Sequence, residues 1–541
     1  MRSSARRLLA WAAPLAFLGV LFLLPVGRLL SLGFAADWSA TLADPRTGEA
    51  LANTLGLAAL ATGISVVVGL PTAYLLYRRD FAGAATLRNL VAVPFVLPVI
   101  VVAVGFTAFQ KWHTFYSQFG MDWLVENRYY WITAALVFMN LSIVVRAVGS
   151  QWAALDTETE EAAALDGAGR LRTALAVSLP QLAGTVAAAA TLVFLYCASS
   201  FGIVLVLGGG SVRTLETEVS VAVNSYLDLP KAAALSLAQV AITAVTFAVA
   251  SALSRGSIGL TASEPVARQA RLDRRDWPIL VVAILVVAPT LLLPLVSVVT
   301  QSFIRGGHPT LANYVELGGL GARDLLDITV FDASLNSVRN TAIASALAIS
   351  VGTLIAVLLH RTRNRALRNA LDTLFLLPMG VSMVVLGFGY LISFDTEPLA
   401  LRSTWMIVPL AQSIAALPQV VRLIYPALAA LDRETQEAAA VDGATENQIW
   451  WRVQLPQIAS AVKTAIGYAV VACIGEFGAA SFLAFGDQAT LPTVLYRLIA
   501  RPGAQNFGMA MAVATILIAL TFTTVALVSR QAKARAAKTP H

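Results

Sequence analysis

The chain has 541 residues, of which 57% are apolar and only 13% charged, with a net charge of +7 and a mean hydropathy of +0.73. A soluble globular domain carries roughly 25% charged residues, so this composition excludes one and places the chain in a membrane. The basic residues lie in short runs between apolar segments and form no continuous face, which argues against nucleic-acid binding. The two cysteines, Cys197 and Cys473, are too few for a disulfide framework and read as small packing residues.

In chain order, Arg2, Arg6 and Arg7 precede an apolar run from about Leu8 to Phe34. That run exceeds the roughly 7–15 residues of a signal-peptide core, so it reads as a first span that stays attached. Runs long enough to cross the hydrocarbon as helix recur at 8–34, 53–77, 89–110, 131–150, 182–207 and 233–254. A second set follows at 277–302, 337–359, 370–393, 404–426, 459–484 and 507–529. Only helices satisfy their own backbone groups in lipid, so the predicted fold is all-α, with twelve transmembrane helices. Between the two sets, the polar, Arg-rich stretch 255–276 reads as a linker. The domains expected are therefore 1–254, the linker, and 277–541. Segment 303–335 is the longest outside loop; PTLANYVELGG within it reads equally as a short interfacial helix or as a tether.

Charge placement predicts the orientation. Alternate connections hold Arg78, Arg79 and Arg88; Arg170 and Arg172; Arg255, Arg268, Arg271, Arg274 and Arg275; and Arg361, Arg363, Arg365 and Arg368. The intervening connections carry fewer basic residues and hold Asp37, Asp44, Glu49, Glu216, Glu218, Asp228, Asp395 and Glu397. This is the positive-inside pattern, and it puts both termini in the cytoplasm.

The two sets are repeats. Asn53-Thr54 is matched with Asn340-Thr341, Pro94 with Pro378, Arg146 with Arg422, Leu155-Asp156 with Leu431-Asp432, and Phe201-Gly202 with Phe477-Gly478. GGGSVRTLE from Gly208 aligns with FGDQATLP from Phe485. Six spans per half is an even number, so both halves begin on the same side and the repeats are parallel.

The most telling match is polar. EAAALDGAGRLRTALAVSLP runs from Glu161 to Pro180, and EAAAVDGATENQIWWRVQLP from Glu437 to Pro456, 276 residues later. Ala is the best helix former, and Asp-Gly ends the helix because Gly adopts the left-handed backbone a helix end favours. A helix-turn-helix elbow is expected at 151–181 and again at 427–457. Its small Ala side chains permit close approach, and Leu165 or Val441 supplies an apolar knob. Glu161, Ala162, Ala163, Leu165, Asp166 and Gly167 form one candidate docking surface; Glu437, Ala438, Ala439, Val441, Asp442 and Gly443 form the other.

Glu-Ala-Ala, the Gly four residues after its last Ala, and Leu-Pro before the next span resemble the signature loop of binding-protein-dependent ABC importer permeases. The resemblance implies a type I (MetI-like) permease fold, with each loop a coupling helix for a cytoplasmic ATPase. It implies two ATPase subunits, one extracytoplasmic substrate-binding protein, a bacterial inner-membrane location, and alternating access as the mechanism. A fused double permease resembles the thiamine-type and ferric-iron-type importers. SFGIVLVLGGGSVRTLETEV with LDLPKAAALSLAQ is similar to the thiamine type, GEFGAASFLAFGDQATLPTVLYRLI to either, and Ser211-Val212-Arg213 departs from both.

No G-x-x-x-x-G-K-[ST] loop occurs, so ATP hydrolysis is assigned to partner subunits and the chain itself is not read as an enzyme. His113, His308, His360 and His541 show no ligand spacing; no metal or other cofactor is expected in this chain. Ionisable groups inside apolar runs invite a functional reading. Glu476, whose counterpart is Ser200, is a candidate for the translocation path, with helix packing as the other reading. Arg146 and Arg422 read as snorkelling, or as a gate or loop anchor, and Pro71, Pro94, Pro98, Pro378, Pro418 and Pro426 as bends that act as hinges or shape a cavity, or as ordinary bends with no special duty. The rival to an importer permease is a secondary transporter of two parallel six-helix halves with no ATPase partner. It leaves the twin elbow unexplained.

Overall fold

The computed structural model describes residues 2–112, 117–118, 120, 123, 126–155, 157–254, 270–395 and 399–536. The linker segment 255–269, His113, Asp156, Glu397, Lys538 and His541 lie outside the described residues. The fold is all-α; the strands among the described residues are two short pairs.

Nine described helices are long and apolar enough to span a membrane: Ala10–Phe34, Pro45–Arg78, Arg128–Ala153, Ala174–Ala198, Leu229–Ala250, Trp277–Ser302, Val330–Arg361, Ile407–Ala429 and Ala504–Leu527. Three further candidates are bent pairs: Ala84–Val96 with Val99–Gln110 (110°), Arg365–Gly380 with Met383–Ser393 (95°), and Trp450–Gln457 with Ala459–Ile474 (66°). Counting each pair once gives twelve. The runs 89–110 and 370–393 are therefore not straight helices as hydropathy suggested. Each breaks after a 3-10 turn with proline at its start, Pro94 in one and Pro378 in the other. Leu97 and Val381 then turn extended, with Pro98 or Ser382 at the N-cap of the next helix. Likewise 182–207 and 459–484 end as long helices at Ala198 and Ile474, and each resumes as a short helix, Phe201–Gly208 or Ala480–Leu483.

Proline also accounts for a recurrent local widening. Segments Gly19–Leu23, Ala174–Ser178, Ala283–Val287 and Trp450–Gln454 are π-turns. Each is followed by one residue and then proline: Pro25, Pro180, Pro289 and Pro456. Proline has no N–H to give, and its ring collides with the carbonyl four residues back. The chain shifts register instead, and the residue before proline donates five residues back, as Leu179 N–H does to the Ala174 carbonyl and Leu455 N–H to that of Trp450.

The chain packs as two compact units, each drawn from both sequence halves. One holds Met1–Ala36, Leu227–Ala233 and Ala312–His541; the other holds Asp37–Tyr226 and Ala234–Leu311. In the second, Pro45–Arg78 lies along Arg128–Ala153, and Leu179–Ala198 packs on both. Gly69 permits the approach: a Cβ there would sit 2.7 Å from Val144. Helix Val99–Gln110 receives Ala288–Ser302, and a Cβ on Gly105 would lie 3.2 Å from the Pro294 carbonyl.

The other unit repeats this. Val330–Arg361 lies along Ile407–Ala429 with Gly352 facing Val420, and Ala459–Ile474 packs on both. Helix Met383–Ser393 receives Leu24–Phe34, and a Cβ on Gly389 would lie 3.1 Å from the Pro25 carbonyl. The first span of each sequence half is thus built into the unit that holds most of the opposite half.

Contacts also correct one element of the repeat. Thr54 Oγ1 accepts from Leu215 N–H (2.9 Å), while Ser337 Oγ accepts from the equivalent Leu491 N–H (2.8 Å). Asn53-Thr54 therefore corresponds to Asn336-Ser337, about one helical turn before Asn340-Thr341. The alignment of GGGSVRTLE with FGDQATLP holds: Thr214 N–H donates to Thr217 Oγ1, and Thr490 N–H to Thr493 Oγ1, both at 2.8 Å.

Two loop readings change as well. Within 303–335, Ala312–Val315 is a short helix with Asn313 fully buried, and Ala322 N–H donates to Asn506 Oδ1 (2.9 Å). The segment is fastened to helix Ala504–Ala536. Glu216 and Glu218 are not solvated loop acids; both are buried, and Glu218 pairs with Arg213 at 3.2 Å.

Candidate functional site: the twin elbows

Each predicted elbow forms. The first begins with helix Thr157–Leu165 and the second with Arg433–Val441. Asp432 caps the second, its Oδ1 accepting from Glu434 N–H (2.9 Å); the counterpart Asp156 lies outside the described residues. Both helices stop in the same way. Gly167 has φ +82° and Gly443 φ +83°, the left-handed backbone that suits glycine. Ala168 N–H reaches back to the Ala163 carbonyl (2.9 Å) and Ala444 N–H to that of Ala439 (3.0 Å). This six-to-one bond closes a Schellman turn and satisfies carbonyls the helix end leaves free. The second arm, Arg170–Thr173 or Glu446–Ile449, then runs through its π-turn into Leu-Pro and the next long helix.

The candidate residues face solvent. Glu161, Ala162, Asp166, Gly167, Glu437, Ala438, Asp442 and Gly443 are exposed, and Ala163 and Ala439 partly so. Leu165 is 89% exposed and Val441 87%. Each elbow therefore holds an exposed apolar side chain at the same position, two residues before the glycine that ends its helix. A second pair went unread in the sequence: Leu175 and Trp451, at matched positions of the π-turns, are also exposed.

The inward side of each elbow is polar and equally matched. Glu160 Oε1 accepts from Ser178 Oγ (2.7 Å), and Glu160 forms an ion pair with Arg78. At the equivalent positions, Gln454 Nε2 donates to Gln436 Oε1 (2.8 Å). Polar pairs at 160/178 and 436/454, each 18 residues apart, were the signal available in the sequence.

The other candidates lie elsewhere. Glu476 is buried in the turn after Ala459–Ile474, where its carboxylate accepts from Ala479 N–H (2.7 Å) and Ala480 N–H (3.2 Å). It thus caps the short helix that follows. Ser200 holds the matching turn at the N-cap of Phe201–Gly208 with no side-chain cap bond. Arg146 and Arg422 are exposed on their helices. Pro71, Pro418 and Pro426 lie within long helices.

Comparison with known proteins gives the elbows a context. The family described as binding-protein-dependent transport system inner membrane component matches twice, over residues 65–258 and 348–537. Each match contains one elbow. The thiamine transport system permease protein ThiP of Salmonella typhimurium is 25% identical over 91% of this chain and 90% of its own length. That of Brucella abortus is 26% identical over 99% and 97%. The sulfate transport system permease protein CysT of Salmonella typhimurium is 30% identical, over 42% of this chain and 85% of its own length.

Proposed function

The chain belongs to the family of binding-protein-dependent transport system inner membrane components, and from that membership we propose that it is the membrane-spanning subunit of an ABC importer whose two elbows each receive one cytoplasmic ATPase subunit. The observation that carries the proposal is the pair of exposed knobs, Leu165 and Val441, on helices ended by the same glycine turn. Glu161–Ala163 and Glu437–Ala439 form the remaining docking face, with Asp166-Gly167 and Asp442-Gly443 setting its edge. The arginine-rich connections support a cytoplasmic side for both termini and both elbows.

Transport proceeds by alternating access. Nucleotide binding closes the ATPase pair, and the elbows pass that displacement to the helices they join. Nucleotide must favour one arrangement over the other for any shift to occur. Substrate arrives on a separate extracytoplasmic binding protein. The full-length thiamine permease relatives support thiamine, or a phosphorylated form of it, as the solute. Glu476 and Ser200, at matched turns, are assigned to the wall of the path.

The test is purification of the tagged chain with its partners, followed by uptake into proteoliposomes. Two ATPase subunits per chain and ATP-dependent entry of labelled thiamine are expected. A chain that transports without any nucleotide-binding subunit would be a secondary transporter, and entry of ferric iron in place of thiamine would overturn the substrate assignment.

A further inference from the structure

The two elbows are fastened by different chemistry. In the first, Arg78 closes helix Pro45–Arg78, where a cation suits the carbonyl end of the helix. Its side chain is only 9% exposed, and it pairs with Glu160 on the elbow helix. A second nitrogen of the same guanidinium lies 3.5 Å from the Leu155 carbonyl, in the turn leading to that helix. Glu160 also accepts from Ser178, at the end of the first elbow's π-turn. One carboxylate therefore ties three pieces together: the elbow helix, the second span, and the helix that begins at Leu179.

In the second elbow, Gln436 replaces the carboxylate and pairs with Gln454. That bond joins the elbow helix to its own following helix.

We infer that Arg78 and Glu160 are positioning residues that lock the first elbow to span Pro45–Arg78, so that this elbow drives its span directly, whereas the second is tied through Gln436 and Gln454 to the helix that follows it. This rests on the proposed ATPase docking. A lever transmits displacement only if it cannot swivel at its root. The guanidinium of Arg78, 9% exposed, supplies that restraint at the root, where it reaches both Glu160 and the Leu155 carbonyl. Loss of the carboxylate leaves the elbow surface intact and its root loose.

The experiment uses the full chain with its ATPase subunits and binding protein in proteoliposomes. Glu160→Ala still recruits two ATPase subunits, but solute imported per ATP hydrolysed falls roughly tenfold, the order a charge-assisted hydrogen bond supplies. The exchange R78E/E160R recovers most of the loss. The pair E160Q/S178Q copies the second elbow's amide link without the bond to the span, and it stays uncoupled. A second measurement does not depend on transport: spin labels at Ala82→Cys, in the turn that follows the span, and Thr159→Cys on the elbow helix, both exposed positions, report the distance from the elbow to the end of the span. Its distribution broadens in Glu160→Ala and narrows again in the exchange.

An unchanged distribution in Glu160→Ala, a broad one in the exchange, or full coupling in E160Q/S178Q would each overturn the inference. Absence of any ATPase subunit on the unsubstituted chain strikes instead at the docking proposal, and the label distances then decide the anchor alone.

Discussion

The knobs give the docking proposal a magnitude. Leu165 and Val441 are bare in the isolated chain, so a partner that seats them removes nearly the whole side chain from water. Truncation to alanine deletes three carbons from Leu165 and two from Val441. At about 0.8 kcal/mol per buried CH₂, Leu165→Ala forfeits about 2.4 kcal/mol and Val441→Ala about 1.6 kcal/mol when desolvation is complete. Those values correspond to about fiftyfold and about fifteenfold weaker binding at the affected elbow. Each variant leaves the other elbow intact, so a titration of the nanodisc-embedded chain with ATPase subunit becomes biphasic, with half the amplitude displaced. Thermal stability of the free chain stays the same, because neither side chain packs against it. Biolayer interferometry reads the affinities directly. Single-phase isotherms within about twofold of the unsubstituted chain, or a larger shift for Val441→Ala than for Leu165→Ala, would refute the burial argument.

Other substitutions probe the supports of this surface. Gly167→Val and Gly443→Val place a β-branched residue in left-handed backbone with no neighbour within 4 Å to clash, so the penalty is conformational, roughly 1–2 kcal/mol or more at each site; the double variant inserts into membranes normally and loses uptake, measured with labelled solute. Gly352→Ala pushes a methyl to 2.7 Å from Val420 and destabilises by about 1–3 kcal/mol; adding Val420→Ala restores most of the loss in thermal unfolding in detergent, and Gly69→Ala with Val144→Ala behaves alike. Gly508→Ala puts a methyl 2.1 Å from Asn313 Oδ1, so segment 303–335 comes loose and limited proteolysis cuts it first.

Features coded locally were legible in the sequence. The elbow follows from an Ala run, an Asp-Gly stop and a Leu-Pro restart, and all three act within a few residues. Hydropathy found every long helix, yet it carries no direction, so the bends at Leu97 and Val381 passed as straight spans. Register was missed for a similar reason. Asn336-Ser337 and Asn340-Thr341 are both amide-hydroxyl doublets at the start of one span, and distant partners select the first: Leu491 N–H, 154 residues away, for Ser337, and the Asp487 and Ala489 carbonyls for Asn336. Counting charges assigned Glu216 and Glu218 to an outer loop, because the count does not record that Arg213 is there to pair with Glu218. Glu160 was passed over beside Glu161, although the first points inward to Arg78 and the second to solvent.

The exchange of first spans bears on why the two halves occupy one chain. Gly105 lies against the Pro294 carbonyl and Gly389 against that of Pro25, so each half supplies the helix that covers a glycine-lined face of the opposite half. As independent polypeptides, each half would insert with that face bare to lipid until its counterpart arrived. Close glycine–backbone packing of this kind draws its stability from van der Waals contact, since lipid tails are as apolar as the helix they would displace. Fusion raises the effective concentration of the covering helix to that of a tethered segment. For residues 288–302 the tether is favourable twice over, because helices Leu229–Ser254 and Ala288–Ser302 belong largely to the same unit. Arg79 adds a fixed point at the far end of the linker, pairing with buried Asp276 at 2.9 Å just before Trp277 opens the seventh span. Ala270 and Arg271 pair with Arg79 and Asp80 at the same place, so the start of the seventh span is tied to the end of the second by ion pair and backbone together.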